Sequence, residues 1–141
     1  MKYLLDSNIV SEPSKPIQNE KVIKLIEKNR ENSAIAAISF FEMLHGVLVL
    51  PEGKRKKSLE EYLEKTVVPF YDFLSYDILA ARIQAELSAK LQSIGKLTPY
   101  QDTQIASIAI SNNLVLVTRN VKDFENILKV SNLKIENWFE I

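Results

Sequence analysis

The chain has 141 residues, 46% hydrophobic and 26% charged, the composition of one globular domain with enough apolar surface for a core. No cysteine and a single histidine, His45, exclude a disulfide scaffold, a thiolate zinc site, a cysteine nucleophile and any site needing two imidazoles. The 18 basic residues balance 18 acidic ones, which argues against a broad cationic coat for nucleic acid but leaves room for a local basic groove.

Lys2 to Leu5 reads as a short strand, and Asp6 ends its apolar run too early for a signal peptide. No apolar stretch approaches the length of a membrane span, so a cytoplasmic protein without a membrane partner is expected. Ser11 to Pro16, with Pro13 and Pro16, reads as a loop. Asn19 to Lys28 predicts a helix, with Val22, Leu25 and Ile26 on one face. Ala34 to Ile38 is a continuous apolar run, the pattern of a buried parallel strand. Phe40 to Leu50 and Ser58 to Lys65 read as helices separated by Pro51-Glu52-Gly53. Phe70 to Ser75 predicts a strand, and Asp77 to Ser93 a long amphipathic helix closed by Gly95. Asp102 to Asn112 is helical and apolar almost all round, Leu114 to Val117 is a buried strand, and Lys134 to Trp138 an edge strand. Strands alternating with helices predict a single α/β domain over residues 1–141, with a mainly parallel central sheet flanked by helices. Such sheets bind ligands beyond the carboxyl ends of their strands. None of the three glycines lies in a phosphate-cradling loop, which excludes a Walker A or dinucleotide site.

Three carboxylates stand out. Asp6 directly follows the first strand; Asp-Ser-Asn also favours a turn or helix cap. Glu42 follows the Ala34 to Ile38 run, but Ser39-x-x-Glu42 is also a capping box, in which Glu42 would only reach back to a backbone amide. Asp102 opens a helix with a predicted cap at Thr98, Pro99 in the first turn and Gln101 completing a box. It points along the apolar stripe of Ile105, Ala106 and Ala109, where a carboxylate needs a hydrogen-bond partner or a cation. If the three converge, two of them about 4 Å apart oppose each other by about 4 kcal/mol at an effective dielectric near 20. A divalent cation relieves this, and with oxygen ligands alone available the choice is magnesium or manganese. The segment Thr118-Arg119-Asn120-Val121-Lys122-Asp123-Phe124 follows the Leu114 to Val117 strand. Thr118 and Asn120 there are placed to orient waters or a carboxylate; Asp123 reads first as a cap before Phe124.

Leu4-Leu5-Asp6-Ser7-Asn8, Ser39-Phe40-Phe41-Glu42-Met43-x-x-Gly46, Asp102-x-x-Ile105-Ala106 and Val117-Thr118-Arg119-Asn120-x-x-Asp123-Phe124 together resemble the four motifs of the PIN-domain proteins. Within these the chain most resembles VapC-type toxins of toxin–antitoxin pairs, including trafficking-factor relatives that continue as Val10-Ser11-Glu12-Pro13 does here. The resemblance spans nearly the whole chain. It implies a Mg2+- or Mn2+-dependent endoribonuclease acting on RNA, a cognate antitoxin whose C-terminal segment blocks the site, a homodimer, and a higher complex with the antitoxin. Asp6, Glu42 and Asp102 match the acidic metal positions, with Ser7, Thr118, Asn120 and Asp123 in support. The fourth acidic position falls on Asn120, where relatives often carry Asp, so one firmly held ion is expected, not two.

Arg119 and Lys122 are placed for substrate phosphate. Lys54-Arg55-Lys56-Lys57 reads as a solvated helix start or as a contact for RNA or an acidic partner segment. His45 reads as structural, and Phe40, Phe41, Leu44 and the Val47 to Leu50 run as core or dimer interface. Two other functions stay open. One is a non-catalytic module acting through an antitoxin–DNA complex, suggested by Asn120. The other is a phosphoacceptor domain using Asp6, which lacks the second acid of a DxD motif.

Overall fold

The computed structural model describes residues 1–140. Its first strand, β1 (Tyr3–Leu5), is central. The four others are β2 (Ser33–Ala36), β3 (Asp72–Leu74), β4 (Val115–Val117) and β5 (Lys134–Glu136). They form one sheet in the order β3-β2-β1-β4-β5, with every pair parallel. Leu4 stands opposite Ala34 on one side and Leu116 on the other.

The helices are α1 (Ser7–Val10), α2 (Glu20–Asn29), α3 (Ala37–Leu48), α4 (Lys54–Tyr62), α5 (Ile78–Ser93), α6 (Tyr100–Ser111) and α7 (Glu125–Val130). Strand side chains alternate between the two faces, so the short apolar strands feed two cores. Leu4, Ala34, Ala36 and Leu116 pack with Leu87, Ile105, Ile108 and Ile127 of α5, α6 and α7. Tyr3, Leu5, Ile35 and Val117 pack with Ile9, Val22, Ile26 and Val47 of α1, α2 and α3. Each fully buried Leu or Ile contributes about 1.5–3 kcal/mol relative to exposure. Trp138 closes the second core, edge-on to the Tyr3 ring at 5.3 Å, and donates from its indole N–H to Glu136.

Two helices start as the sequence predicts. Asn19 caps α2 by accepting from Val22 N–H at 3.1 Å, and Asp77 caps α5 by accepting from Ala80 N–H at 3.0 Å. Gly95, at φ 70°, ends α5 and lets Lys96 N–H return to Leu91 O at 2.9 Å.

Three local expectations are corrected. Strand β2 stops at Ala36, and α3 begins at Ala37 with no side-chain cap. Ile38 is therefore helical, and Ser39 lies inside the first turn, buried, with its hydroxyl unpartnered. An all-apolar run has no period that separates strand from helix. Helix α6 begins at Tyr100 with Pro99 at its N-cap; Thr98 does not cap it, and its hydroxyl is buried without a partner. Helix α4 begins at Lys54, not Ser58, and runs on through a π-helical turn, Leu63–Val67. The basic cluster thus occupies its first turn, where the helix dipole disfavours cations, and Lys56 pairs back to Glu52 at 2.6 Å.

Strand order reverses beside β1, with β2 and β3 on one side and β4 and β5 on the other. The crevice beyond the carboxyl ends of β1 and β4 is the topological switch point, where open α/β sheets bind ligands.

Candidate metal centre

Asp6 sits at that switch point, one residue beyond β1. Its backbone N–H extends the ladder to Val117 O at 2.9 Å. Its carboxylate accepts from Ser7 N–H through Oδ1 at 2.8 Å and from the Thr118 hydroxyl through Oδ2 at 2.9 Å. The capping reading of Asp6 is correct, because it is the N-cap of α1. It does not exhaust the residue. Asp6 is buried, 8% exposed, and burial raises its carboxyl pKa despite the Ser7 and Thr118 hydrogen bonds, with Asp123 repelling it as well.

Glu42 is no capping residue. It lies in the second turn of α3, half-buried. Burial raises its pKa, the Gln101 side chain lowers it by hydrogen bonding, and Asp6 and Asp102 raise it. Gln101, predicted to complete a capping box, instead faces Glu42 from the first turn of α6. Asp102, one residue on, is half-buried, and its pKa is pushed up to about 6 by burial first, then by Asp123 and Asp6.

A fourth carboxylate, Asp123, belongs to the same electrostatic group, while the expected fourth acidic position, 120, holds an asparagine. After β4 the chain makes a 3-10 turn, Val121–Phe124, closed by Asp123 N–H to Asn120 O at 3.1 Å. That turn brings the Asp123 charge against Asp6 and Asp102. Asp123 caps nothing: α7 starts at Glu125 without a side-chain cap. Asn120 is exposed, and its backbone N–H donates to Thr118 Oγ1 at 3.1 Å.

Four elements thus bring four acids into one electrostatic group. Among the described residues none of the four forms an ion pair with a Lys or Arg; the ion pairs are Lys15–Glu12 and Lys56–Glu52. Nor, among the described residues, do three acidic or histidine side chains stand close enough to form a finished metal cage. The arrangement is an open cluster of hard oxygen donors with uncompensated charge, and it suits a hard divalent cation.

The other predicted residues separate. Thr118 is fully buried at the cluster, while Ser7 contributes its backbone N–H to Asp6. Arg119 is on the same edge, exposed, with its guanidinium 4.3 Å from the Phe139 ring centroid. Lys122 is exposed on the 3-10 turn. Lys54 and Arg55 belong to α4, and Arg55 lines a hollow of about 250 Å³ with Met43, Val47, Leu59, Leu63 and Lys15. His45 stacks on Phe41 with centroids 5.6 Å apart.

Two polar residues were missed from the sequence. Glu12 is buried, accepting from Asn19 N–H at 2.7 Å and pairing with Lys15 at 2.9 Å. Burial alone would raise its pKa, but the Asn19 N–H, Lys15 and Arg119 bring it below the ordinary value. Asn8 bridges Asp6 and the segment after β4. Both stand in quoted motifs, Asn8 in Leu4-Leu5-Asp6-Ser7-Asn8 and Glu12 in Val10-Ser11-Glu12-Pro13, but neither was given a role at the site.

Comparison with known proteins identifies the fold and the family. Residues 3–129 match the PIN domain model. The chain is 35% identical to the plasmid stability protein StbB of Pseudomonas syringae pv. tomato, over 86% of this chain and 90% of that protein. It is 33% identical to the toxin FitB of Neisseria gonorrhoeae (86% and 89% covered) and 31% identical to the ribonuclease VapC2 of Haemophilus influenzae (98% of each). A crystal structure of FitAcB from Neisseria gonorrhoeae superposes with a TM-score of 0.88 at 30% identity, covering 99% of both chains. A structure of FitAB bound to a DNA fragment gives the same TM-score at 29% identity, covering 99% of this chain and 96% of that one. With the switch-point acids, the parallel sheet and the motifs all in agreement, the chain belongs to the PIN domain family.

Proposed function

We propose that this chain is the endoribonuclease toxin of a VapBC-type toxin–antitoxin pair, with Asp6, Glu42, Asp102 and Asp123 holding Mg2+ or Mn2+. The observation that carries the reading is the cluster itself: four acids at the switch point repel one another, with no paired cation among the described residues. Relatives named as ribonuclease and toxin support the substrate class. A divalent cation there supplies water activation and neutralises charge on a phosphate oxygen. The chain's own residues do the rest. Ser7 N–H and the Thr118 hydroxyl orient Asp6, and Gln101 orients Glu42. Arg119 and Lys122, exposed in the segment after β4, would hold RNA phosphates.

Asp6→Asn and Asp102→Asn should abolish cleavage of RNA by purified protein with Mg2+ or Mn2+, and a chelator should do the same to the unmodified chain. Undiminished cleavage by both variants would sink the assignment. The reading as a non-catalytic module, which drew on Asn120, predicts instead that no Mn2+ binds near Asp6 and Asp102.

The relatives solved as FitAB and FitAcB complexes support an antitoxin partner. The hollow between Met43, Leu59 and Leu63, rimmed by Lys15 and Arg55, offers an apolar floor and cationic edge for a peptide with acidic flanks. The exposed apolar residues Phe41, Leu48 and Val49 of α3 and its end suit a dimer contact.

A further inference from the structure

Asn8 touches both strand ends that meet at the switch point. Its Nδ2 donates to Thr118 Oγ1 at 3.2 Å and lies 3.5 Å from Asp6 Oδ2. Its Oδ1 accepts from the Arg119 backbone N–H at 2.9 Å. An amide N–H can only donate, so the side-chain atom facing it must be the oxygen; this settles which way the Asn8 amide points. The Thr118 hydroxyl also receives Asn120 N–H, at 3.1 Å. A hydroxyl has one proton and two lone pairs. With two N–H groups directed at it, both lone pairs are used. Its proton is left for Asp6 Oδ2, where the 2.9 Å hydrogen bond is found. Without Asn8 the hydroxyl has a free lone pair and a rotatable proton. Through its other end, Asn8 also fixes the start of the segment that carries Asp123.

We propose that Asn8 is a positioning residue of the carboxylate site: it compels Thr118 to donate to Asp6 and ties the Asp123 segment to the end of β1. Its effect on a bound cation rests on the function proposed above; its effect on the backbone does not. Groups that orient a metal-binding carboxylate typically change metal affinity or activity by about 10- to 100-fold.

The test uses Asn8→Ala, the near-isosteric Asn8→Asp, Thr118→Val and the Asn8→Ala/Thr118→Val pair in the full chain. Asn8→Asp keeps an acceptor for Arg119 N–H but sets a carboxylate oxygen against Thr118 and Asp6, so it isolates the donor role if Asn8→Ala folds poorly. In metal-free protein, the Arg119 amide should exchange with solvent at least about tenfold faster in Asn8→Ala and stay protected in Asn8→Asp. Mn2+ binding, read by electron paramagnetic resonance, should weaken about tenfold in both. In RNA cleavage, kcat should fall about 10- to 100-fold with KM unchanged, and the double variant should lose little more than Thr118→Val alone. Unchanged Arg119 exchange in Asn8→Ala overturns the proposal whatever the cleavage data show. So does full Mn2+ affinity and kcat in Asn8→Asp, or strict additivity with Thr118→Val. Absence of Mn2+ binding and cleavage in the unmodified chain defeats the nuclease reading instead, and the exchange experiment still decides the backbone role.

Discussion

At the scale of single residues, the site is defined by carboxylates held where they repel. Asp102 has its pKa raised to about 6 from an ordinary 3.8 by burial and by Asp123 and Asp6. A raised carboxyl pKa means the folded state holds its proton more tightly than the unfolded chain. That stabilisation is complete below pH 4 and is lost as pH rises through about 6. Metal-free protein should therefore lose thermal stability across that window, with Asp6 and Glu42, both also raised, acting in the same direction. Asp102→Asn should flatten the curve and raise Tm at pH 7.5 by a few degrees, the partial exposure of the group keeping the gain small. A calorimetric scan in which the variant melts below the unmodified chain at that pH contradicts this account. Asp123 and Asn120 make a second residue-scale contrast. Asp123→Asn should lower cleavage by about 10²-fold or more, and Asn120→Ala by less than about tenfold, because only the backbone of Asn120 enters the network. The reverse ranking in a cleavage assay returns the fourth position to Asn120.

At the scale of elements, α3 separates two jobs that one motif could have served. If Glu42 capped its helix, Glu42→Gln would cost up to about 1 kcal/mol of stability. Since α3 starts at Ala37 and Glu42 stands in its second turn, Glu42→Gln should leave urea stability unchanged or slightly higher while abolishing cleavage. Ser39→Ala should likewise be neutral or stabilising, because it removes a buried hydroxyl that has no partner. In α4, Leu59→Glu places a charge on the apolar floor of the Arg55 hollow. It should prevent co-purification with the antitoxin while circular dichroism stays that of the folded chain. Legibility followed the same lines. Strands with β-branched or leucine runs between breakers, such as β1 and β4, and helices with side-chain caps, such as α2 and α5, were readable because their signals are local. The start of α3 was not, because Ala34 to Phe41 is apolar but for Ser39 and the cap is an alanine. The approach of Asp123 to Asp6 and Asp102 was not, because it depends on one 3-10 turn after β4. The contacts of Asn8 were not, because its partners lie 110 and 111 residues away in the chain.

At the scale of the whole molecule, two cores share one sheet, and β1 and β4 contribute to both. Leu116, fully buried in β4, packs among the α5–α7 residues. Leu116→Ala should destabilise by about 2–5 kcal/mol and also slow cleavage near the melting temperature, since Thr118 is two residues on in the same strand extension. A denaturant titration showing under about 1 kcal/mol would mean that the core closes around the gap more fully than cores of this kind do.

The central position of β1 has a consequence in time. The strand made first is flanked by one made early and one made more than a hundred residues later. A nascent chain that has not yet emitted Val115 holds Asp6 and Glu42 but lacks the strand, the threonine and the aspartate that complete their setting. The topology thus predicts that the acidic site is assembled only after β4 has been made, so a shorter nascent chain lacks the setting of Asp6. Ribosome-stalled chains ending at residue 112 should be protease-sensitive and bind no Mn2+, and chains extended through residue 141 should become protease-resistant and bind Mn2+ together; early protection of the short chains would refute this order of events.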